Sequence, residues 1–413
     1  MPKLTKFPKW FYWGASTSAH QVEGGNKNDW SLWEKENAKR LAEDAKRHLQ
    51  LWQLELFPEA LNPKNYVSGD AADHYNRYES DFDLAKKLGH NAHRFSIEWS
   101  RVEPREGKFD EAEIDHYRNI VEALRRRGIE PIVTLWHFTN PVWFKELGGW
   151  ANRKAPHYFS RYAAKITNEL GRDVKYWITI NEPMVYASHA YLRGDWPPQK
   201  RSLFKYLKVI RHLVSAHNHA ANAIKIIDAG AMVGIAKHNI YFDSVGGGIN
   251  GLLRKVADWW WNHHFLNEIK KHVDFIGLNN YFLSRVRYGF SNNHDHNVSD
   301  LGWGLYPESV YQTLKGLKRY KRPIFITENG LADARDTRRT SYIKSVLSGV
   351  IRAIDEGVDV RGYLYWSLLD TFEWGKGFWP RFGLIEVDYE TQKRTTRESA
   401  KEYTKIIKSN SLD

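Results

Sequence analysis

The sequence predicts a single (β/α)8 TIM barrel with extended loops at its C-terminal face, and three observations predict it. Apolar runs of strand length alternate with amphipathic helical stretches from end to end, the pattern of βαβ units and a parallel sheet. Two of those runs end in a glutamate. Tyr176–Ile180 passes through Asn181 into Glu182 and is stopped by Pro183, which has no N–H for a ladder; Ile324–Thr327 runs into Glu328 before an Asn329–Gly330 turn. Most other strands carry a polar or aromatic residue at or just past their ends. Strand ends remote in sequence converge at the C-terminal lip of such a barrel, where its active site lies, and barrels of this kind range from about 250 to over 400 residues. All 413 residues are therefore assigned to one catalytic domain, 1–413.

In chain order, an aromatic run from Trp10 to His20 opens the barrel and leads to Gln21. A charged helical stretch from Asn28 to about Gln53, followed by Asn62–Asn65, reads as a helical insertion at about 28–66 on the barrel face. Asp73–Leu88 and Ala112–Arg127 are amphipathic helices closed by glycines, with the strand Asn91–Ser100, carrying Arg94 and Glu98, between them. Pro131–Phe138 is the third strand and ends at Trp136–His137–Phe138. Helix Ala155–Leu170 precedes the Glu182 strand, and helix Leu203–Ile227 precedes a fifth strand at Met232–Ala236. Leu252–Lys270 reads as one helix after the Gly246–Gly248 turn, and Val273–Leu278 is the sixth strand, ending at Asn279–Asn280–Tyr281. Helix Pro307–Tyr320, the Glu328 strand, helix Ser341–Asp355, the strand Arg361–Leu368 and a helix at Glu398–Lys408 complete eight units.

Composition narrows the class. A hydrophobic content of 42% with 27% charged residues suits a large soluble core. The net charge is +12, but Lys and Arg are dispersed and no nucleic-acid-binding motif accompanies them. The run Arg125–Arg127 reads instead as a helix C-terminus complementing its dipole. Cysteine is absent, which excludes disulfides and thiolate chemistry. Met1–Trp10 lacks a signal-peptide pattern and no apolar run is long enough to span a bilayer, so a cytoplasmic enzyme is expected, without membrane or nucleic-acid partners. The 18 Trp and 22 Tyr include candidates for platforms beneath sugar rings, beside many that fill the core.

Taken singly, each polar strand-end residue has a plain structural role. Their coincidence at one lip points to chemistry. Two carboxyls flanking one site can cleave a glycosidic bond when one is protonated and the other ionised. An arginine beside one of them holds that one charged. Arg94 beside Glu328 fills this part, leaving Glu182 as the acid.

At this point the chain resembles the family 1 glycoside hydrolases, the β-glucosidase and β-galactosidase family, over essentially its whole length. Thr179–Pro183 is similar to the family's acid/base motif and Ile326–Gly330 to its nucleophile motif; Arg94–Arg101 and Arg381–Leu384 match further landmarks in order. The resemblance implies retaining hydrolysis in two displacements, with Glu328 as nucleophile and Glu182 as acid/base about 5–5.5 Å apart. It implies that Asn181 holds the sugar 2-hydroxyl, that Gln21, His137, Glu373 and Trp374 hold hydroxyls 3, 4 and 6, and that Trp366 is the platform under the ring. Tyr281 and Arg94 match residues that orient the nucleophile, and Asn279 an asparagine beside the acid. Glu373 implies unphosphorylated sugars, since family members acting on 6-phosphorylated sugars lack it. The implied partners are small β-glycosides or oligosaccharides, with a homo-oligomer compatible with the family.

The chain departs from the pattern in three places. The segment between Trp261–Leu266 and the sixth strand is short, Asn280 replaces the first of two tyrosines, and Trp379–Pro380 precedes the Arg–Phe–Gly–Leu landmark. No metal or organic cofactor is expected, because carboxylates supply both the acid and the nucleophile, and His263–His264 reads as packing. A catalytically silent sugar-binding barrel and a glycosyl-transferring enzyme are the competing readings.

Overall fold

The computed structural model describes residues 5–291, 293, 295 and 297–412. Eight parallel strands close into a barrel: β1 (Tyr12–Ser16), β2 (Ala92–Ser96), β3 (Glu130–Trp136), β4 (Tyr176–Asn181), β5 (Met232–His238), β6 (Phe275–Asn279), β7 (Ile324–Asn329) and β8 (Val360–Trp366). Each pairs with its sequence neighbours, and β8 closes on β1 in a register running from Tyr12 opposite Gly362 to Ser16 opposite Trp366.

The principal helices are α1 (Asp29–His48), α2 (His74–Lys87), α3 (Glu111–Arg126), α4 (Ala155–Leu170), α5 (Leu203–Ile227), α6 (Ile249–Asp258), α7 (Glu308–Leu317), α8 (Arg339–Asp355) and α9 (Glu398–Ser409). In α3, the Asp110 carboxylate caps the N-terminus by accepting from the N–H groups of Ala112 and Glu113, and Arg125 and Arg126 stand in the last turn. Its buried face is Ile114, Tyr117, Ile120, Val121 and Leu124, three or four residues apart, as a helix laid on a sheet requires. The cations of this run are matched within the chain: Arg125 pairs with Glu130, Arg126 with Glu79 and Arg127 with Glu79 and Asp83. Among the described residues no helix is long and apolar enough to cross a membrane.

Inside the barrel, Tyr12, Tyr176, Phe275 and Phe325 pack with ring centroids 5.2 to 5.8 Å apart. All four lie at or next to the first residues of their strands. Aromatic pairs gain from edge-to-face contact beyond the area they bury, so this cluster plugs the N-terminal end and leaves the C-terminal end for side chains with other tasks. Gly234 in β5 serves the plug, since a Cβ there would stand 2.5 Å from the Phe275 ring.

Two expectations are corrected. The second strand stops at Ser96, and Glu98 lies beyond it, where its carboxylate caps the turn Trp99–Val102 by accepting from the Ser100 N–H and hydroxyl. The stretch Leu252–Lys270 is not one regular helix. After α6 the chain widens into a π-helical turn, Trp259–His264, before Phe265–Ile269. Wide turns of this kind are rare and recur at functional sites. Here the Lys237 ammonium donates to the Trp261 carbonyl at 2.7 Å.

Candidate active site

Both glutamates stand where the barrel ladder is irregular. Glu182 follows β4 in a left-handed conformation, φ +45°, and its N–H donates to the Ala236 carbonyl at 2.8 Å. The β4–β5 register shifts between Ile178 and Asn181, and that of β7 shifts between Ile326 and the Glu328–Asn329 end. A left-handed non-glycine residue costs about 1 kcal/mol or more, and such strain is held by surrounding contacts. Gly330 permits the second site: a Cβ there would lie 1.9 Å from the Trp366 carbonyl oxygen, so only glycine lets β7 end this close to β8.

A buried relay joins the two carboxyls. Arg94, fully buried, donates from Nη1 to Glu328 Oε1, from Nη2 to Asn181 Oδ1 at 2.7 Å and from Nε to Thr134 Oγ1 at 2.9 Å. The Tyr281 hydroxyl donates to the other oxygen, Glu328 Oε2, at 2.7 Å. Asn279 donates from Nδ2 to Glu182 Oε1 at 2.8 Å and to Asn181 Oδ1 at 3.1 Å, and its own oxygen accepts from Thr327 Oγ1 at 2.7 Å. Asn181 Oδ1 thus receives two donors, which fixes its Nδ2 as the donor to His137 Nε2 at 3.1 Å. The His137 proton then sits on Nδ1, which is buried and has no hydrogen-bond partner among the described residues.

The charges follow these contacts. Burial, then the negative charge of Glu328, pushes the Glu182 carboxyl up to about 8, against the Asn279 hydrogen bond and the cations Arg94 and Lys237. Burial and Glu328 likewise push Glu373 up to about 8. Burial, helped by Arg94, drives His137 well below the ordinary imidazole range, so it is neutral. The Tyr281 phenol is raised by burial and by the glutamates around it, and it stays a donor.

All the sequence-predicted residues line one cavity of about 450 Å³ except Arg94 and Asn279, which stand behind its wall. Gln21 is fixed by accepting from Ser18 Oγ at 2.7 Å and donating to the Phe372 carbonyl at 2.8 Å, and it also donates to Glu373 Oε2 at 3.3 Å. The His137 ring lies near-parallel to those of Trp366 and Trp374, with centroids 5.9 and 6.0 Å away. Sequence reasoning missed other parts of the wall: Phe138, His238, Trp196, Trp261, Trp303 and Phe382. Phe138 and His238 sit just past or at strand ends, so position alone pointed to them. Trp196 and Trp303 come from loops and carried no such signal.

The histidine pair has separate structural partners. His263 Nδ1 lies 3.0 Å from the Tyr320 hydroxyl, and His264 stacks on Trp260 at 4.7 Å. Among the described residues no three His, Asp or Glu side chains gather as a metal site requires.

The family model described as Glycosyl hydrolase family 1 matches residues 3–242 and 253–412. A 1,4-beta-D-glucan glucohydrolase of Thermotoga neapolitana is 32% identical over 461 aligned positions, covering 99% of this chain and all of the relative. Among solved structures, a beta-glycosidase from Pyrococcus horikoshii superposes with a TM-score of 0.88 at 37% identity, over 100% of this chain and 97% of the other. A beta-glucosidase from Thermotoga maritima in complex with glucoimidazole gives a TM-score of 0.89 at 29% identity, over 99% and 100% of the two chains. With a protonated carboxyl and a carboxyl clamped by cation and phenol facing one cavity on this barrel, the chain belongs to glycosyl hydrolase family 1 and is a glycoside hydrolase of the β-glucosidase type.

Proposed function

We propose that the protein is a retaining β-glycosidase that releases terminal β-D-glucosyl residues, and also galactosyl or fucosyl residues, from small unphosphorylated glycosides. One observation carries this reading: the two glutamates on one cavity have opposite environments. Glu182 is raised to about 8 and holds its proton at neutral pH. Glu328 accepts from a guanidinium and a phenol on its two oxygens, the setting of an acceptor-only carboxylate.

In the first displacement a Glu328 oxygen forms a bond to the anomeric carbon. The bond from that carbon to the leaving oxygen breaks, its electron pair goes to the oxygen, and Glu182 supplies the proton. In the second, Glu182, now ionised, takes a proton from water as the water oxygen bonds to the anomeric carbon. The ester bond to Glu328 breaks and both carboxyls return to their starting states. Asn181 meets the 2-hydroxyl, Gln21, His137, Glu373 and Trp374 meet the others, and Trp366 lies under the ring. The Nδ1–H of His137, without a partner among the described residues, is a donor for a sugar oxygen. Glu373 puts a carboxyl, held by the neutral amide of Gln21, at the end of the sugar where a 6-phosphate would come. The name of the Thermotoga neapolitana relative, a glucan glucohydrolase, supports the gluco reading.

The test is hydrolysis of aryl β-glucoside, β-galactoside, β-fucoside and 6-phospho-β-glucoside by the wild type and by Glu328→Gln and Glu182→Gln. Glu328→Gln loses several orders of magnitude on every substrate, because it removes the bond-forming group. In the first displacement Glu182→Gln loses about 10²–10⁴-fold on alkyl leaving groups and far less on a dinitrophenyl group, which departs without a proton, while the second displacement, which needs its base, slows on every substrate. Near-normal turnover by either variant overturns the reading, and activity confined to the phosphorylated substrate overturns the role of Glu373.

A further inference from the structure

The leaving-group side of the cavity carries a histidine that the two displacements do not use. The chain leaves Glu182 as a helical turn, Pro183–Ala187, which continues as a π-helical turn, Ser188–Arg193. Val185, Ser188 and His189 line the cavity with Glu182, at the three- and four-residue spacing of one helix face. Glu182 gives its proton to the leaving oxygen, so residues further along this face stand beside the leaving group. From Glu182 to His189 is roughly 10 Å along a helix axis, more than one sugar unit spans. The cavity, about 450 Å³, has room for more than one hexose.

His189 is held by its ring and by its backbone. Its Nδ1 lies 3.0 and 3.1 Å from the two Asp195 carboxylate oxygens. Its ring stacks on Trp196 with centroids 4.4 Å apart. Its carbonyl accepts from the N–H groups of Gly194, Asp195 and Trp196, at 2.9, 3.1 and 3.4 Å, so the chain winds back around it. Gly194 allows that reversal: it sits at φ +72°, and a Cβ there would stand 2.8 Å from the Arg201 side chain. A carboxylate only accepts, so Nδ1 carries a proton and Nε2 is left open. Nε2 has no hydrogen-bond partner among the described residues. Trp196 in turn packs on Phe138 and Trp374, at 5.1 and 6.0 Å, so this assembly is braced against the wall of the sugar site. An alkyl or aryl leaving group offers nothing to Nε2. A hydroxyl both donates and accepts, so it serves the imidazole in either charge state.

We propose that His189 binds a hydroxyl of the leaving saccharide beyond the unit next to the scissile bond, with Asp195 as its positioning residue, so that the preferred substrates are β-linked oligosaccharides of three or more units. This rests on the glycosidase reading above.

The test compares β-1,3- and β-1,4-linked gluco-oligosaccharides of two and three units with an aryl β-glucoside, for the wild type and for variants at both positions, with folding followed by near-ultraviolet circular dichroism. In the wild type the trisaccharide of at least one linkage exceeds its disaccharide in kcat/KM by about threefold or more, the worth of one neutral hydrogen bond. His189→Phe keeps a ring on Trp196 and removes both nitrogens. It abolishes that gain, mainly through KM, and its losses rank trisaccharide above disaccharide above aryl glucoside. Asp195→Ala removes part of the gain and adds nothing in the His189→Phe background. Asp195→Asn, whose amide oxygen still accepts from Nδ1, keeps most of it. Equal losses on all substrates in folded His189→Phe overturn the proposal, since His189 is then only a structural tie. So does a wild type that gains nothing from the third unit in either series. If His189→Phe does not fold, the same ranking is read from His189→Ala, and failure of both to fold overturns the proposal. Absence of hydrolysis of every substrate by the wild type instead overturns the function itself.

Discussion

Glu182 and Glu328 begin from the same local recipe, a β-branched and aromatic strand that ends in a glutamate and is stopped at once, by proline in one case and by Asn–Gly in the other. They end in opposite electrostatic states. Around Glu328 the barrel supplies Arg94 from β2 and Tyr281 from beyond β6, both donors and one of them cationic. Around Glu182 it supplies one side-chain donor among the described residues, the neutral amide of Asn279, with burial and the negative charge of Glu328 outweighing the cations Arg94 and Lys237. The difference between acid and nucleophile thus lies not in either motif but in which strands stand opposite it. Arg94 also reaches Asn181, the residue before Glu182, so one guanidinium ties the two halves while neutralising only one of them.

Removing that guanidinium is the strongest way to break the contrast. Arg94→Met leaves Glu328 without its cation and Asn181 without one of its two donors, and kcat/KM is expected to fall by about 10³-fold, roughly 4 kcal/mol. Arg94→Lys recovers only part of this, because three different guanidinium nitrogens reach Thr134, Glu328 and Asn181 and an ammonium cannot span them. Recovery of full activity by lysine would show that charge alone matters.

Stability gives the next largest effect and should have opposite signs at the two sites. Glu328→Gln removes the charge partner of buried Arg94 and is expected to destabilise by about 3 kcal/mol. Glu182 has a folded value raised to about 8, above its unfolded one, so its contribution is present at low pH and is lost as pH rises toward 8. Glu182→Gln lacks that loss. It should nearly match the wild type near pH 5 and gain relative to it by about 4 kcal/mol at pH 8. Denaturant melts at the two pH values read both signs, and equal behaviour of the two variants would dissolve the comparison.

The same contrast explains how much the sequence disclosed. Strand ends were legible because hydrophobic patterning and Pro183 or Gly330 mark them, so Asn181, Glu182, Glu328 and Trp366 could be placed without coordinates. Boundaries slipped where a side chain overrides the local pattern. Glu98 reads as part of an apolar run yet turns to cap Trp99–Val102, and the aromatic run Trp259–Trp261 reads as plain helix because nothing local announces that Lys237 takes its carbonyl. The loop walls, Trp196 and Trp303, were illegible because loops carry no periodicity that tells which way a residue faces. Neither could the sequence show that Asn181 orients His137 as a donor, which depends on Arg94 and Asn279 meeting at one oxygen.

A smaller change sharpens the Glu328 side. Tyr281→Phe removes one hydrogen bond, at 2.7 Å, from the nucleophile and leaves Arg94 in place. The expected loss in kcat is about tenfold, near 1.4 kcal/mol, as for one hydrogen bond to a charged group. Because Tyr281 also lines the cavity, single-turnover measurement of the first displacement separates this loss from any change in sugar binding.

The smallest expected effect tests the Glu182 side alone. Asn279→Ala removes the side-chain hydrogen bond that favours the ionised form of Glu182, so the carboxyl rises further above its present value near 8. The alkaline limb of kcat/KM should move up by about half a pH unit, equivalent to about 0.7 kcal/mol. Asn279 donates to Glu182 and Asn181, whereas Glu328 accepts from Arg94 and Tyr281, so kcat/KM on a dinitrophenyl glycoside, whose leaving group needs no proton, should stay in place. If it falls as the limb moves, the two carboxyls share one network and their environments are not separable. If only the alkaline limb moves, the acid is tuned by its own neighbours, and Arg94 serves the nucleophile.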